Sequence, residues 1–282
     1  MYRNLGSNAA KIADKRFGQN FLKDSSVLLK IIEAIPNNRL PIVEIGPGLG
    51  DLTKQLLKVG QVRAYEVDKR LCEYLKQEFK EPLNSGNLEL LCKDILEHDG
   101  SLFDSEYYLV ANLPYYIATK IILNALRDSS CKGILVMVQK EVAKKFSASC
   151  GDKNYGSLAI LAQSAGDAKL LFDVPKEAFE PQPKVTSAIL HIKKQSSLDD
   201  IEFEAFLKIA TAQPRKTLYK NLSSNYAKDL LRDVFNTLGI KSTIRAHELE
   251  LSKYHLLYKE LKKDNLDESR REKTDTTSSR GE

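Results

Sequence analysis

Short runs of branched apolar residues recur through the first 195 positions, and stretches with helical spacing fill the gaps between them. Ile42–Ile45, Val62–Val67, Leu88–Cys92, Tyr107–Ala111 and Ile134–Val138 are expected to be strands. Apolar residues at helical spacing follow them over Asp51–Val59, Lys69–Phe79, Thr119–Leu126 and Gln139–Phe146. Strands alternating with helices predict an α/β chain whose parallel sheet is covered on both faces. One more helix is expected at Gly156–Ala165. Two closing strands, Leu170–Val174 and Thr186–Ile192, are joined by the proline-rich Pro175–Pro183.

The pattern changes near Ser196. From Asp199 onward no strand signal remains. Phe203, Phe206, Leu207 and Ala210 keep helical spacing, as do Leu230, Leu231, Val234, Phe235 and Leu238. Tyr254, Leu257, Tyr258 and Leu261 do the same behind Ser252 as N-cap. The expected division is therefore 1–195 as the α/β domain, 196–263 as a helical domain, and 264–282 as a disordered polar tail.

Charge adds a partner class. The 43 basic and 38 acidic residues leave a net +5, but the excess sits at the two ends. Phe203 to Lys263 holds twelve Lys or Arg against six Asp or Glu, and the first 24 residues hold five against two. Such ends fit a polyanionic partner, although a solvated Lys-rich surface has the same composition. Cys72, Cys92, Cys131 and Cys150 form no C-x-x-C pair and share no ligand spacing with His98, His191, His247 or His255. Reduced thiols and no metal site are expected. The most apolar stretch, Ile134 to Val138, is too short to span a membrane, and no leader-like run precedes the first strand; a soluble cytoplasmic protein follows.

The chemistry gathers at strand ends. Glu44-Ile45-Gly46-Pro47-Gly48-Leu49-Gly50 closes the first strand and opens a helix, where glycines let backbone approach a ligand. A dinucleotide fingerprint would want a third glycine where Asp51 stands, and no G-K-S/T follows. The loop therefore suits a ligand without a pyrophosphate. Glu66 ends the second strand, where a carboxylate accepts ribose hydroxyls, and Asp94 follows the third, placed for an adenine amine. Each alone is an ordinary surface acid; together with the glycine loop they describe an S-adenosylmethionine pocket. The fourth strand ends in Asn112-Leu113-Pro114-Tyr115. The Asn112 amide oxygen and the Leu113 carbonyl are positioned to accept the two N–H bonds of an exocyclic amine, with Tyr115 stacked on its ring. A strand running into a proline turn looks the same in isolation; the preceding strand ends favour the functional reading. Phe179, on the proline-rich loop, reads either as a second aromatic wall opposite Tyr115 or as a hydrophobic plug. Phe17–Leu22, an ordinary polar loop by composition, can fold over the cofactor.

These motifs, in this order, resemble the bacterial small-subunit rRNA adenine N6-dimethyltransferases, the KsgA/RsmA family. The resemblance runs over roughly residues 15 to 262: Phe17–Leu22, Glu44–Thr53, Glu66-Val67-Asp68, Asp94, Asn112–Tyr115, Gln139–Val142, Tyr155-Gly156 and Phe179–Ser187. Gln213–Leu218 and Arg245–Leu249 resemble the family's Q-R-R-K-T-L and R-A-E-x-L. It implies a Rossmann-like class I methyltransferase sheet with a small C-terminal all-helical domain. It implies cofactor contacts at Asn20, Leu22, Gly46, Glu66, Asp94 and Asn112, catalytic roles for Asn112, Leu113, Tyr115 and Phe179, and rRNA contacts at Arg215, Lys216, Lys220 and Arg245. The expected reaction is dimethylation of two adjacent adenosines in the 3′-terminal hairpin loop of 16S rRNA, in the immature small subunit, by a monomer. Pro214 stands where the family's basic motif has its first arginine, removing one phosphate contact. Two other readings stay open: a large-subunit rRNA adenine methyltransferase of the macrolide-resistance type, and an assembly factor whose binding outweighs its catalysis.

Overall fold

The computed structural model describes residues 12–14, 17–37 and 39–263. The polar tail at 264–282, expected to be disordered, lies outside them. No helix among the described residues is long and apolar enough to cross a membrane.

The predicted strands form, with slightly moved ends. β1 (Phe21–Leu22) precedes α1 (Ser25–Glu33), β2 (Ile42–Ile45), α2 (Asp51–Leu56), β3 (Val62–Tyr65), α3 (Lys69–Glu78), α4 (Lys80–Asn84) and β4 (Leu88–Leu91). Then come β5 (Tyr107–Asn112), α5 (Ala118–Arg127), β6 (Cys131–Gln139), α6 (Lys140–Ser147), α7 (Ser157–Ala165), β7 (Gly166–Val174), β8 (Phe179–Glu180) and β9 (Ser187–Lys194). The seven-stranded sheet has the order β4-β3-β2-β5-β6-β9-β7. β2 pairs in parallel with β3 on one side and β5 on the other, so the strand order reverses there. That reversal opens a crevice beyond the carboxyl ends of β2 and β5. β9 enters antiparallel between β6 and β7, so the sheet is mixed rather than wholly parallel.

α1 was not foreshadowed by the strand pattern, yet its signals are ordinary. The Asp24 carboxylate accepts from the Ser26 and Val27 N–H groups, and Val27, Leu28 and Ile31 point inward. They join Leu52, Leu56, Leu75 and Phe79 against one face of the sheet, at Ile42, Val62, Ala64, Tyr108 and Val110. Burying that surface is the main stabilising term of this unit.

The described chain divides into two compact units. One runs through Ser147 and resumes over Ala165–Asp199; the other comprises Ala148–Ser164 and the residues from Asp200 onward. A single boundary near 196 therefore misplaces α7. Ala159, Ile160, Leu161 and Ala162 are all buried. A helix apolar all round serves as a core element, and its sequence does not say whose core. With α7 stand α8 (Ile201–Ala210), α9 (Leu218–Leu222), α10 (Lys228–Thr237) and a helix at 251–263.

The cysteines need one correction. Cys72 on α3 and Cys92 just after β4 form a disulfide, their Cα atoms 6.0 Å apart. Helix and strand end bring together residues that sequence spacing keeps 20 positions apart. Cys131 is free and buried, and Cys150 free and exposed.

Candidate active site

The strand ends of β2, β3, β4 and β5 enclose a cavity of about 170 Å³. Asn20, Leu22, Gly46, Glu66, Asp94, Asn112, Leu113 and Tyr115 all line it, so eight of the nine predicted catalytic and cofactor residues converge on one crevice.

Its floor is the glycine loop. Gly48 has φ +61°, and a Cβ there would lie 3.0 Å from the Phe21 ring; Gly50 has φ +82°, and a Cβ would come within 2.5 Å of Phe79. Both positions need the left-handed backbone and the missing side chain together. The Gly48 N–H donates to Glu66 Oε2 at 3.1 Å, and the Asp68 N–H to Glu66 Oε1 at 2.9 Å. Each carboxylate oxygen keeps a further lone pair for a ribose hydroxyl. Burial pushes the Glu66 carboxyl up to about 7, against those two donors. Beneath the loop, Glu44 accepts from the Thr53 hydroxyl at 2.7 Å, and burial pushes its carboxyl up to about 8, with the Glu66 charge adding to the shift. Two acids share this floor, and the deeper one is the harder to ionise.

The walls are tied across the crevice. Asn112 Nδ2 donates to the Asn20 carbonyl at 3.1 Å. A carbonyl only accepts, so that contact fixes the amide orientation and leaves Asn112 Oδ1 as the acceptor available to a ligand. Gln19 donates to Asp68 at 3.1 Å, and Lys23 pairs with Asp51 at 2.7 Å. The Phe17–Leu22 segment is thus tied to the crevice at Asp68 and Asn112, with Lys23 just beyond it held by Asp51. Asp94 spends one carboxylate oxygen on the Leu96 N–H at 2.8 Å. The Tyr115 hydroxyl bonds Ser187 Oγ on β9 at 2.7 Å, and this anchors the ring at the crevice. Gln19, Asp68, Ser187, Glu44 and Tyr116 escaped assignment from sequence. Gln19, Glu44, Asp68 and Ser187 lie inside recognised motifs, which was the available signal; Tyr116 only follows one.

Phe179 does not line the crevice. β8 pairs antiparallel with β1, setting Phe179 opposite Leu22, and the ring is 4% exposed within the same apolar cluster as Leu22, Val174 and Ala178. Phe179 thus packs as the plug reading expects, and the expected clamp is corrected: of its two aromatic walls only Tyr115 lines the crevice. The reason is β1, a strand of two residues that gives Phe179 an apolar partner.

The donor set fits a methyl donor carried on adenosine. Glu66 and Asp94 line the crevice with carboxylate acceptors of the kind that ribose hydroxyls and an adenine amine donate to, and the glycine loop allows close backbone approach. A carboxylate bonded to the Gly48 N–H sits where a pyrophosphate would want cations.

In the helical unit, the Leu218 N–H donates to the Ile244 carbonyl at 2.8 Å, and Thr217 pairs with Arg245 as an antiparallel bridge. Arg215 and Lys216 directly precede the residue bridged to Arg245, and Lys220 lies in α9, which follows it. All four are exposed, and none makes a salt bridge among the described residues.

A family model described as ribosomal RNA adenine dimethylase matches residues 10–263. The ribosomal RNA small subunit methyltransferase A of Sulfurimonas denitrificans is 55% identical over 249 residues, covering 88% of this chain and 93% of that protein. A dimethyladenosine transferase from Plasmodium falciparum has a similar solved structure, with TM-score 0.73 and 28% identity over 87% of this chain and 98% of the other. The 23S rRNA methyltransferase ErmE shares the fold at TM-score 0.67 and 23% identity, over 86% of this chain and 100% of its own.

Proposed function

The chain belongs to the ribosomal RNA adenine dimethylase family, and from that premise we propose that it dimethylates N6 of two adjacent adenosines in the 3′-terminal hairpin loop of 16S rRNA, late in small-subunit assembly. S-adenosylmethionine is the donor, and when bound it supplies an already activated sulfonium methyl. Glu66 and Asp94 hold its ribose and adenine, the Gly46–Gly50 backbone lies under it, and Asn20 and Leu22 border it. The protein's own task is to present the nucleophilic nitrogen in line.

The observation that carries this reading is the clasp between Asn112 and the Asn20 carbonyl. It commits the amide Nδ2 to the protein, so that Oδ1 meets one N–H of the target amine while the Leu113 carbonyl takes the other. The adenine amine lone pair is delocalised into the ring. Two acceptors aimed at its hydrogens favour the pyramidal nitrogen that attacks, and so stabilise the transition state more than the ground state. Asn112 acts as an acceptor, not a base. Tyr115, held by Ser187, lies against one face of the base. Arg215, Lys216, Lys220 and Arg245 grip the phosphates of the surrounding rRNA.

The test is transfer of labelled methyl to undermethylated small subunits, with the modified nucleosides identified. Label in N6,N6-dimethyladenosine of 16S rRNA is expected. Label confined to large-subunit rRNA would overturn the proposal in favour of the macrolide-resistance type.

A further inference from the structure

Tyr116 follows the Asn112–Tyr115 motif and lines the same crevice, yet it is 64% exposed. Its ring rests against Gly18: a Cβ built at Gly18 would lie 3.6 Å from Tyr116 Cδ1 and 3.7 Å from Cε1. Among the described residues it has no hydrogen bond and no aromatic partner, so one ring face and the hydroxyl remain open. Partial burial, helped by the charges of Asp94 and Glu66, holds its phenol above the usual tyrosine range. Asp94 and Glu66, the acids proposed to hold the donor's adenosine, line the crevice together with it. The target base belongs instead beside Asn112, Leu113 and Tyr115.

We propose that Tyr116, backed by Gly18, is the wall that covers the cofactor in its crevice and sets how fast the donor and its spent product exchange. The inference rests on the methyltransferase reading above. It matters because dimethylation needs two transfers to one nitrogen, so S-adenosylhomocysteine must leave and S-adenosylmethionine enter between them. A ring lying against the bound nucleoside slows both steps, and its removal should loosen donor and product alike.

The experiment measures binding directly in the full-length protein. Calorimetry gives the affinities of S-adenosylmethionine and S-adenosylhomocysteine for wild type, Tyr116→Ala and Tyr116→Phe, and a chase of labelled ligand gives the dissociation rates. Tyr116→Ala is expected to weaken both ligands roughly ten-fold, or about 1.4 kcal/mol, mainly through faster dissociation. Tyr116→Phe keeps the ring and should stay within about two-fold of wild type. Affinity for undermethylated small subunits should be unchanged in both variants. Cofactor binding by Tyr116→Ala equal to wild type would overturn the inference, as would a loss confined to rRNA binding, which would make Tyr116 a base platform. A loss in Tyr116→Phe as large as in Tyr116→Ala would also overturn it, by moving the effect to the hydroxyl. Should the alanine variant unfold, Tyr116→Leu carries the same comparison. Failure of wild type itself to bind S-adenosylmethionine would instead sink the methyltransferase reading.

Discussion

Replacing Glu66 by glutamine separates the binding role of this carboxylate from its structural one. Its two oxygens already accept the Gly48 and Asp68 N–H groups. In Glu66→Gln the new NH₂ must face one of those donors with or without ligand, so that conflict lowers stability and cancels from affinity. What binding loses is one charge-assisted bond to a ribose hydroxyl, about 1.5–3 kcal/mol, or roughly 10- to 150-fold in Kd. A pH signature accompanies the loss. With its carboxyl pushed up to about 7 by burial, wild type binds best above that pH. Affinity falls as pH drops through that value, approaching about ten-fold per unit once the group is largely protonated. Calorimetric titration of S-adenosylmethionine across this range, in both proteins, gives the difference that belongs to Glu66. An affinity within about two-fold of wild type, or the same pH profile in both proteins, would refute the assignment.

Glu44 and Glu66 both have folded-state values above the unfolded reference of 4.5, at about 8 and about 7. The folded protein therefore holds more protons between those limits, and stability falls as pH rises from near 4.5 through 8; urea midpoints should drop over that window, and Glu44→Gln should flatten the drop. Ser187→Ala frees the Tyr115 hydroxyl and should lower kcat by a few-fold, for a bond of about 1 kcal/mol, with cofactor affinity unchanged; Tyr115→Phe combined with it should add little more, which single-turnover methylation would show. Phe179→Leu should cost about 1–2 kcal/mol of stability as a core truncation and leave methyl transfer by the folded protein nearly intact, whereas a large fall in kcat at unchanged thermal midpoint would return Phe179 to the clamp. Removing Arg215 and Lys216 together should reduce the slope of log affinity for small-subunit rRNA against log salt by about 2, measured by filter binding across salt concentrations.

Much of this site was legible because its chemistry sits at the ends of strands whose apolar runs are themselves legible. Gly46, Glu66, Asp94 and Asn112 each follow a recognisable strand, and parallel pairing then brings the four strand ends to one edge. What escaped depends on tertiary pairing. β1 and β8 are two residues long, too short to carry a period, yet their pairing turns Phe179 into the core. The position of β9 between β6 and β7 leaves no trace in alternation. Cys72 and Cys92 meet only because α3 packs beside the end of β4. Hydrogen bonds such as Asn112 to Asn20, across 92 positions, have no local signature at all.

The division of the chain has a consequence for its synthesis and dissection. The helical unit draws one helix from residues 148–164, inside the run of strands, and the rest from beyond 200. As the polypeptide leaves the ribosome, α7 emerges before the rest of its unit, and the buried surface at Ala159, Ile160 and Leu161 waits at least until the chain passes Asp200, an interval of roughly seconds at ordinary elongation rates. Neither unit is a continuous stretch of sequence. A cut near 199 would strand α7 without its cover, so fragments ending there are aggregation-prone by construction, and the two units can be exchanged between relatives only if 148–164 travels with the C-terminal helices.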